Sequence, residues 1–421
     1  MDFPIHRMVT SQGVPVYFEE YTDFFQPASI MLCMMSGGAD DIAMGAHGIH
    51  HWGEHLPFRG TALFPDGKND INGFIADIGG SVNAYTSYDH TAYYATMPKR
   101  RWRETAARVV DLVARPLNRV DDIEAERTII GQEINQRSAN VDIRAFEFLQ
   151  RCLWGNHPLG SNIIGTHESL AAIDTDMIRR MHSESYGRNR CVVFIAGSMD
   201  PSDVLTCIES LLETMPDPAI STRRLVPSYG PMPAWRGGED AIEESEFDTT
   251  VVSLAFPLAS FGTRWNTRRV HQTVVQLLSM GSLSAPLQRI VREERKLAYA
   301  VYAQALESRD GDVLILQAKT SKENVLPVVD AFRDVLALPE IRSPERFSRV
   351  QQTRQARLDM YLPNPKNATE RMKSNLCEDE IVQTTEEAVR HLIETPPAET
   401  LAVLDTLTVE QGRVLTFVGK K

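Results

Sequence analysis

The chain has 421 residues, with 44 Lys and Arg against 56 Asp and Glu, and its formal net charge is −12. This excess of acidic residues argues against nucleic acid as the main partner, because neutralising phosphates requires clustered Lys and Arg. The alternative explanation of the negative charge is that it only keeps the protein soluble. The length favours two domains of about 200 residues each. No apolar run is long enough to span a membrane and the amino terminus shows no secretory pattern, so no membrane association is expected. The five cysteines have no C-x-x-C spacing, which favours a cytoplasmic protein with reduced thiols.

Strand-like and helix-like patterns alternate along the first half of the chain. Strands are predicted at 14–18, 29–35, 81–88, 91–96 and 191–197, and helices at 71–78, 101–115, from Asp121 onward and at 168–186. Residues 216–239 are dense in Pro, Gly and Arg, and we interpret them as a linker between an N-terminal domain (1–215) and a C-terminal domain (240–421). In the second half, the final strand at 412–419 is an apolar run that ends at a glycine, like 191–197 in the first half. This similarity indicates a weak internal duplication of one strand-and-helix unit.

The stretch Gly48–Thr61 contains the pattern H-x-x-E-H. A helix turns about 100° per residue, so His51 and His55 point the same way one turn apart, with Glu54 beside them. Zinc held by two such imidazoles has room for a third protein ligand and for a water, whose pKa it lowers towards neutrality. Glu54 is placed to take the proton of that water. This inverted spacing is one of the zinc-peptidase signatures.

Neighbouring histidines leave other metal-binding pairs open. His47 lies four residues before His51, and His50 lies four before Glu54, so a different pair is also able to hold an ion. A polar helix face with surface histidines is the remaining interpretation of this stretch.

The helix that follows Asp121 carries an unusual face, formed by Glu126, Ile129, Ile130 and Glu133. A half-buried carboxylate is costly unless it meets a cation or hydrogen-bond donors. This face therefore indicates a metal or an ion pair, with a solvated helix edge as the alternative.

Five motifs, spread over most of the chain, resemble those of one peptidase family. They are the H-x-x-E-H helix with its trailing Phe58-Arg59-Gly60-Thr61, Gly80-x-x-Asn83-Ala84-x-Thr86, Glu126-Arg127 with Glu133, Tyr186 through Gly197, and the segment Arg292-Glu293-Glu294-Arg295-Lys296-Leu297-Ala298-Tyr299. With these motifs the chain resembles the inverzincin zinc peptidases of the insulinase and pitrilysin (M16) family, in particular its short-chain branch related to mitochondrial processing peptidase. The chain departs from the family pattern in two places: Lys296 stands where Gly is usual, and Trp52-Gly53 stands where bulkier apolar residues are usual.

The resemblance implies an α+β fold of two similar domains, each an antiparallel sheet covered by helices. It implies that His51 and His55 bind zinc (Zn2+), that Glu133 is the third ligand, and that Glu54 is the general base. Glu126 would hold a ligating histidine from outside the ligand set.

The resemblance also assigns substrate contacts. Asn83 and Ala84 would lie on an edge strand that pairs with the backbone of an extended peptide, whereas ordinary pairing within the sheet is the alternative. Arg292 and Tyr299 would stabilise the oxyanion of the tetrahedral intermediate. Without the resemblance, Arg292 belongs to a solvated charge run and Tyr299 to a core strand.

The expected function is a zinc-dependent endopeptidase that hydrolyses short or unfolded peptides through a zinc-activated water, with Glu54 as general base. The alternatives are a non-catalytic or heterodimeric partner subunit of a processing-peptidase-like complex, which the complete set of zinc-site residues disfavours, and a hydrolase of something other than peptide. Longer family members close the last of four such domains over the first, whereas this chain has two. A homodimer with composite active sites is therefore expected, and a heterodimer is the second choice.

Overall fold

The structure is a computed structural model, and it describes residues 3–22, 27–216, 229, 232–235, 237–280, 284–308, 311–361, 364–379, 381–393, 397–408 and 411–420. The chain forms two compact units. The first comprises 1–136, 162–227 and 361–386, and the second comprises 137–161, 228–360 and 387–421. These units differ from a division into 1–215 and 240–421 in two segments, because 137–161 belongs to the second unit and 361–386 to the first. Most of the predicted linker, 216–239, lies outside the described residues.

The described residues form strands β1 (Ile5–Val9), β2 (Pro15–Glu20), β3 (Pro27–Met34), β4 (Ser81–Thr86), β5 (Thr91–Pro98), β6 (Cys191–Gly197), β7 (Ala241–Glu244), β8 (Thr250–Leu258), β9 (Ala300–Ser308), β10 (Gly311–Thr320) and β11 (Arg413–Val418). The α-helices are α1 (Asp41–Met44), α2 (Ile49–His55), α3 (Phe74–Asp77), α4 (Trp102–Ala114), α5 (Val120–Ser138), α6 (Val141–Trp154), α7 (His167–Ala172), α8 (Thr175–Ser185), α9 (Pro201–Leu212), α10 (Arg264–Ser279), α11 (Val325–Ala337), α12 (Pro344–Tyr361), α13 (Pro365–Asp379), α14 (Thr385–Ile393) and α15 (Pro397–Thr406). Two π-helical turns occupy Gly67–Gly73 and Gln288–Glu294.

Six strands form the sheet of the first unit, in the order β1-β2-β6-β3-β5-β4. Neighbouring strands run antiparallel except for β2 and β6, which are parallel. Strand β4 is an outer strand of this sheet and pairs with β5, with Asn83 opposite Tyr94 and Ala84 opposite Tyr93. The α+β class is confirmed, and the sheet is antiparallel apart from this single parallel pair.

Both faces of the first sheet are covered. Leu32 of β3 belongs to one hydrophobic core and Cys33 to another, because successive residues of a strand point to opposite faces. On the face of Leu32, α4 packs against β3 and β5, and α9 packs against β2. On the face of Cys33, α13 packs against β3 and β6 and contributes Met372 and Leu376.

The single helix predicted over 168–186 is two helices, α7 and α8, so this prediction is wrong. Ile173 between them has an extended backbone, with ψ at 124°. Asp174 then caps α8, because its side chain accepts a hydrogen bond of 2.8 Å from the N–H of Met177. The local cap interrupts an apolar periodicity that continues across both helices.

The sheet of the second unit has the order β7-β11-β8-β10-β9, with β7 and β11 parallel and the other pairs antiparallel. This order repeats that of β2-β6-β3-β5-β4, including the position of the parallel pair. The expectation of two similar domains is confirmed. Helices α10 and α11 pack against its strands. Within the described residues, no helix combines the length and the apolar character needed to cross a membrane.

Candidate metal centre

Helix α2 presents the H-x-x-E-H motif on one face. The helix follows Gly48, whose φ of 92° lies in the left-handed region that favours glycine, and it ends at His55, two residues before Pro57. Because the helix is intact through the motif, His51 and His55 lie one turn apart, and their ring centroids are separated by 4.7 Å. The geometry expected from the spacing is therefore present.

Glu133 on α5 brings a carboxylate oxygen to both rings. Its Oε2 lies 3.7 Å from Nε2 of His51 and 3.9 Å from Nε2 of His55. The ligand atoms of these three residues, hereafter the His-His-Glu site, all lie within 4.8 Å of one another. Ligands of a tetrahedral zinc ion, bound at about 2.0–2.1 Å, lie about 3.4 Å apart. The donors and their spacing thus fit zinc, and these residues would hold it.

Glu126 fixes the second nitrogen of His55. It is buried, and its Oε2 lies 3.1 Å from Nδ1 of His55, while Arg59 donates from Nε to its Oε1. Burial opposes the charge of Glu126, but the hydrogen bonds from His55 and Arg59 outweigh burial and lower its pKa. A carboxylate on Nδ1 leaves Nε2 of His55 directed to the His-His-Glu site, which is how metal-binding histidines are usually held.

Glu54 shares the helix with both histidines but has a different partner. Thr86, on the outer strand β4, donates a hydrogen bond of 2.8 Å from Oγ1 to Oε2 of Glu54. Burial raises the pKa of Glu54; Thr86 and His55 act against burial, and the charge of Glu133 acts with it. A carboxylate whose pKa is raised by burial is suited to accept and return a proton.

The other two histidines of the stretch have structural partners. His50 is fully buried, with Nδ1 at 2.6 Å from Asp41 and Nε2 at 2.9 Å from Ser36. His47 contacts the backbone carbonyl of Asn162 through Nε2 at 2.5 Å. Among the described residues, the group of metal-type donors around the motif contains neither of them.

The unusual Trp52-Gly53 pair has a packing explanation. Trp52 is fully buried and lies under the guanidinium of Arg127, whose Cζ is 4.7 Å from the ring centroid. A Cβ at Gly53 would lie 2.0 Å from Cε of Met181. The side chain of Met181 thus fills the space that an apolar residue would occupy at this position, and Gly53 leaves the ligand positions unchanged.

The positions assigned to substrate binding lie on the outer strand. Asn83 is exposed and Ala84 is buried, and the backbone N–H of Ala84 donates to Oδ1 of Asn83 at 2.9 Å. Thr86, which holds Glu54, lies at the end of the same strand. The strand therefore leads directly to the carboxylate of α2.

Arg292 and Tyr299 lie in the second unit. Arg292 is on the π-helical turn and its Nε is 3.5 Å from Glu293, while Tyr299 is 61% exposed just before β9. The helix does not continue from one to the other. It ends before Lys296, whose φ of 54° is left-handed, so this chain has Lys at a position whose backbone favours the Gly usual in the family.

Two family models match the chain: insulinase (peptidase family M16) over residues 22–167, and peptidase M16 inactive domain over residues 172–353. Together they cover most of its length. The chain belongs to the M16 peptidase family.

The chain is also similar to individual proteins. An uncharacterized zinc protease of Mycobacterium leprae (strain TN) is 28% identical over 321 residues, which is 76% of this chain and 70% of that protein. The crystal structure of a protease from Helicobacter pylori has a TM-score of 0.88 at 16% identity and covers 99% of this chain and 100% of that chain. A peptidase M16 inactive domain from Pseudomonas fluorescens has a TM-score of 0.83 at 17% identity, covering 99% and 98%. The two structures establish the shared fold.

In the second unit, helix α10 occupies the position that helix α2 has in the first unit, but it carries no metal-binding motif. Helix α10 follows β8 and precedes β9, as α2 follows β3 and precedes β4. It carries His271, whose Nε2 lies 2.9 Å from the carbonyl of Ala259 and whose Nδ1 lies 3.3 Å from Asp312. Its single histidine is thus engaged by protein groups, and the described residues of this unit contain no group of metal-type donors.

Two further residues contact carboxylates at or beside the His-His-Glu site, although no role was predicted for them from the sequence motifs that contain them. Thr86 closes the motif Gly80-x-x-Asn83-Ala84-x-Thr86, and Arg59 follows the H-x-x-E-H helix. The structure places them against Glu54 and Glu126. Their presence in the motifs was the available signal, but spacing alone does not show which carboxylate each one meets.

Proposed function

We propose that this M16 protein is a zinc-dependent endopeptidase that hydrolyses short or unfolded peptides. One observation carries the proposal: on a single helix, two histidines converge on Glu133, while Glu54 between them is turned to Thr86 of an outer strand. This arrangement separates the three metal-binding groups from the carboxylate of Glu54, and that carboxylate lies beside the strand where an extended peptide would bind.

His51, His55 and Glu133 would hold the zinc ion, which when bound polarises a peptide carbonyl and makes water more acidic. Glu54 then acts as base: its carboxylate takes a proton from the attacking water and returns it to the leaving nitrogen. Thr86 orients the carboxylate for both transfers through its hydrogen bond. Glu126, held by Arg59, would keep His55 in the tautomer that leaves the lone pair on Nε2 available for the metal.

The outer strand β4 supports a peptide substrate. An edge strand has unpaired backbone N–H and C=O groups. An extended peptide can form hydrogen bonds with these groups, and this pairing depends little on the side chains of the peptide. The N–H of Ala84 now donates to the side-chain carbonyl of Asn83. A carbonyl of a bound peptide would take the place of that side-chain acceptor. Substrates would therefore have to be extended, which favours short or unfolded peptides over folded proteins.

Arg292 and Tyr299 are proposed to stabilise the oxyanion, supplied by the partner in a homodimer with two composite sites. Both side chains are exposed on the second unit, and the described residues of this unit contain no group of three metal-type donors close enough to hold an ion. A heterodimer remains the second choice. A cytoplasmic location is also proposed, because all five cysteines are free thiols.

The proposal is tested by separating the ligand from the base. Glu133→Gln is expected to bind about one zinc per chain less than the unsubstituted protein, whereas Glu54→Gln keeps the full zinc content and loses cleavage of a random peptide library. Glu124→Gln, on the exposed side of the same helix α5, serves as the matched control and should keep both. Zinc is measured by elemental analysis, and cleavage is measured with and without a chelator.

Equal zinc loss in Glu54→Gln and Glu133→Gln would contradict the division of roles. Zinc retention without peptide cleavage by the unsubstituted protein would instead favour the non-catalytic partner subunit. Rapid digestion of a native folded protein would contradict the requirement for an extended substrate.

A further inference from the structure

A second group of metal-type donors lies on the other face of the first sheet. Cys33 is on β3, Cys377 is on α13, and His90 directly precedes β5. One ligand atom from each, hereafter the Cys-Cys-His site, lies within 4.8 Å of the other two. The three residues are 0%, 4% and 5% exposed, and α13 joins this sheet from far along the chain.

The imidazole of His90 is held as a metal-binding histidine is held. Its Nδ1 lies 2.6 Å from the carboxylate of Asp89, which accepts the Nδ1 hydrogen and leaves the lone pair on Nε2. The hydroxyl of Tyr85 reaches Nε2 at 3.4 Å, but it donates its own hydrogen to Glu370. The lone pair of this buried nitrogen therefore remains available for a metal.

The charges around the site suit a metal bound by thiolates. Two thiolates and Zn2+ sum to zero formal charge, so burying them together avoids most of the cost of an isolated ion, whereas two thiolates and Cu+ keep one negative charge. Lys373, one turn before Cys377 on α13, is also buried and lies 3.4 Å from Glu370, so those two charges balance each other. Sulfurs bound at about 2.3 Å to a tetrahedral ion lie about 3.8 Å apart, within reach of the observed cluster.

We propose that Cys33, His90 and Cys377 form a structural metal site, separate from the His-His-Glu site, which binds a thiophilic d10 ion (Zn2+ or Cu+) and ties α13 to the first sheet. Two sulfurs and one nitrogen are the donors that such ions prefer. Because the site is buried, the ion is taken up while the protein folds. The inference does not depend on peptidase activity.

The test starts from a variant whose His-His-Glu site is removed, His51→Ala/His55→Ala/Glu133→Gln. This protein is expressed in medium supplemented with Zn2+, or in parallel with Cu+ generated from copper salts under reducing conditions, and its metal content is measured after dialysis. We expect about one ion per chain with at least one of the two metals. The metal that is retained identifies the ion.

The ligands are assigned by further substitutions in that variant. Cys33→Ala and Cys377→Ala should each lower the bound metal at least tenfold. Cys191→Ala is the matched control, because Cys191 is a buried cysteine of the same sheet that packs in the core on its opposite face, and it should keep the metal.

Should the cysteine variants fail to fold, the starting variant expressed with Co2+ decides, because thiolate ligands produce a sulfur-to-cobalt charge-transfer absorption that nitrogen and oxygen ligands lack. Its presence supports the site, and its absence overturns it. The inference is likewise overturned by a metal content below a tenth of an ion per chain with both metals, by equal loss in Cys191→Ala, or by a Cys33–Cys377 disulfide that forms in the presence of excess zinc.

Discussion

At the scale of single residues, Glu126 is the buried carboxylate that contacts the candidate site from outside its ligand set. It accepts from His55 on one oxygen and from Arg59 on the other, so removing its charge takes the counter-charge from a half-buried guanidinium and loosens a metal-binding ring at the same time. Carboxylates in this position raise the basicity of the histidine as well as orienting it. The residue therefore affects metal affinity although it lies outside the ligand set.

Glu126→Gln is expected to weaken zinc binding about 10- to 100-fold, because the amide retains the size of the carboxylate and loses its charge. The measurement is a competition titration against a chromogenic zinc chelator. The exposed Glu124→Gln should bind zinc as the unsubstituted protein does. Unchanged affinity in Glu126→Gln would assign Glu126 to folding alone.

Lys296 provides a test of backbone strain. Its φ of 54° costs an ordinary L-residue about 1–2 kcal/mol, and a β-branched residue fits this region worst. Lys296→Val is expected to lower the free energy of unfolding by about 1–2 kcal/mol, whereas Lys296→Gly should be tolerated. Urea denaturation measures both, and a Val variant as stable as the Gly variant would contradict the left-handed backbone at this position.

Residue types and spacing were enough to predict the individual groups of the site, but not their pairings. The face with Glu126 and Glu133 indicated a cation or donors, and Glu126 is indeed buried while Ile129 on the same face is 41% exposed. That Glu126 meets Nδ1 of His55, and Glu133 meets Nε2, depends on how α5 crosses α2. The residue pattern of either helix alone does not predict how the two helices pack against each other.

At the scale of elements, strand patterns predicted most strands of the first sheet near their observed positions, because period-two burial is a local property. The order of the strands is not local. The parallel pairing of β2 with β6 joins residues that are distant along the chain. The break between α7 and α8 did have a local signal, the capping residue Asp174, but the apolar periodicity outweighed it in our interpretation.

The hydroxyl of Thr86 on strand β4 donates a hydrogen bond to Glu54 on α2, and a single substitution tests its role. Thr86→Val keeps the shape of the side chain and the strand preference but removes the hydrogen bond to Glu54. We expect kcat to fall about tenfold or more with zinc content unchanged, since a hydrogen bond to a charged group contributes about 1.5–3 kcal/mol. Thr96→Val, on the neighbouring strand β5, is the control. An unchanged kcat would remove Thr86 from the mechanism.

At the scale of the whole molecule, the two units repeat one strand order but carry different sets of candidate site residues. The first contains the H-x-x-E-H helix, and the second contains Arg292 and Tyr299. A chain that served only as an inactive partner would need one of these sets at most. The presence of both sets in one chain favours a homodimer in which each subunit contributes to both sites.

Mixing Glu54→Gln protein with the Arg292→Ala/Tyr299→Phe variant tests this arrangement. Random exchange makes about half of the dimers mixed, each with one intact site of two, so activity should return to about a quarter of normal. Glu54→Gln mixed with Glu133→Gln is the control, because both changes damage the first unit and no mixed dimer regains an intact site. Failure to recover activity after confirmed exchange would place each site within one chain.

Helix α13 completes the core of the first sheet but is synthesised long after the strands of that sheet. Met372 and Leu376 cover the face of Met31 and Phe194, so the first sheet has no complete core until this helix exists. At about 5–20 residues per second, the ribosome needs roughly ten to thirty seconds to proceed from the end of β6 to α13. During that interval the nascent chain presents an apolar sheet face to the cell. The first unit therefore finishes folding only after most of the second has been made, and we expect the growing chain to depend on chaperones that shield this face.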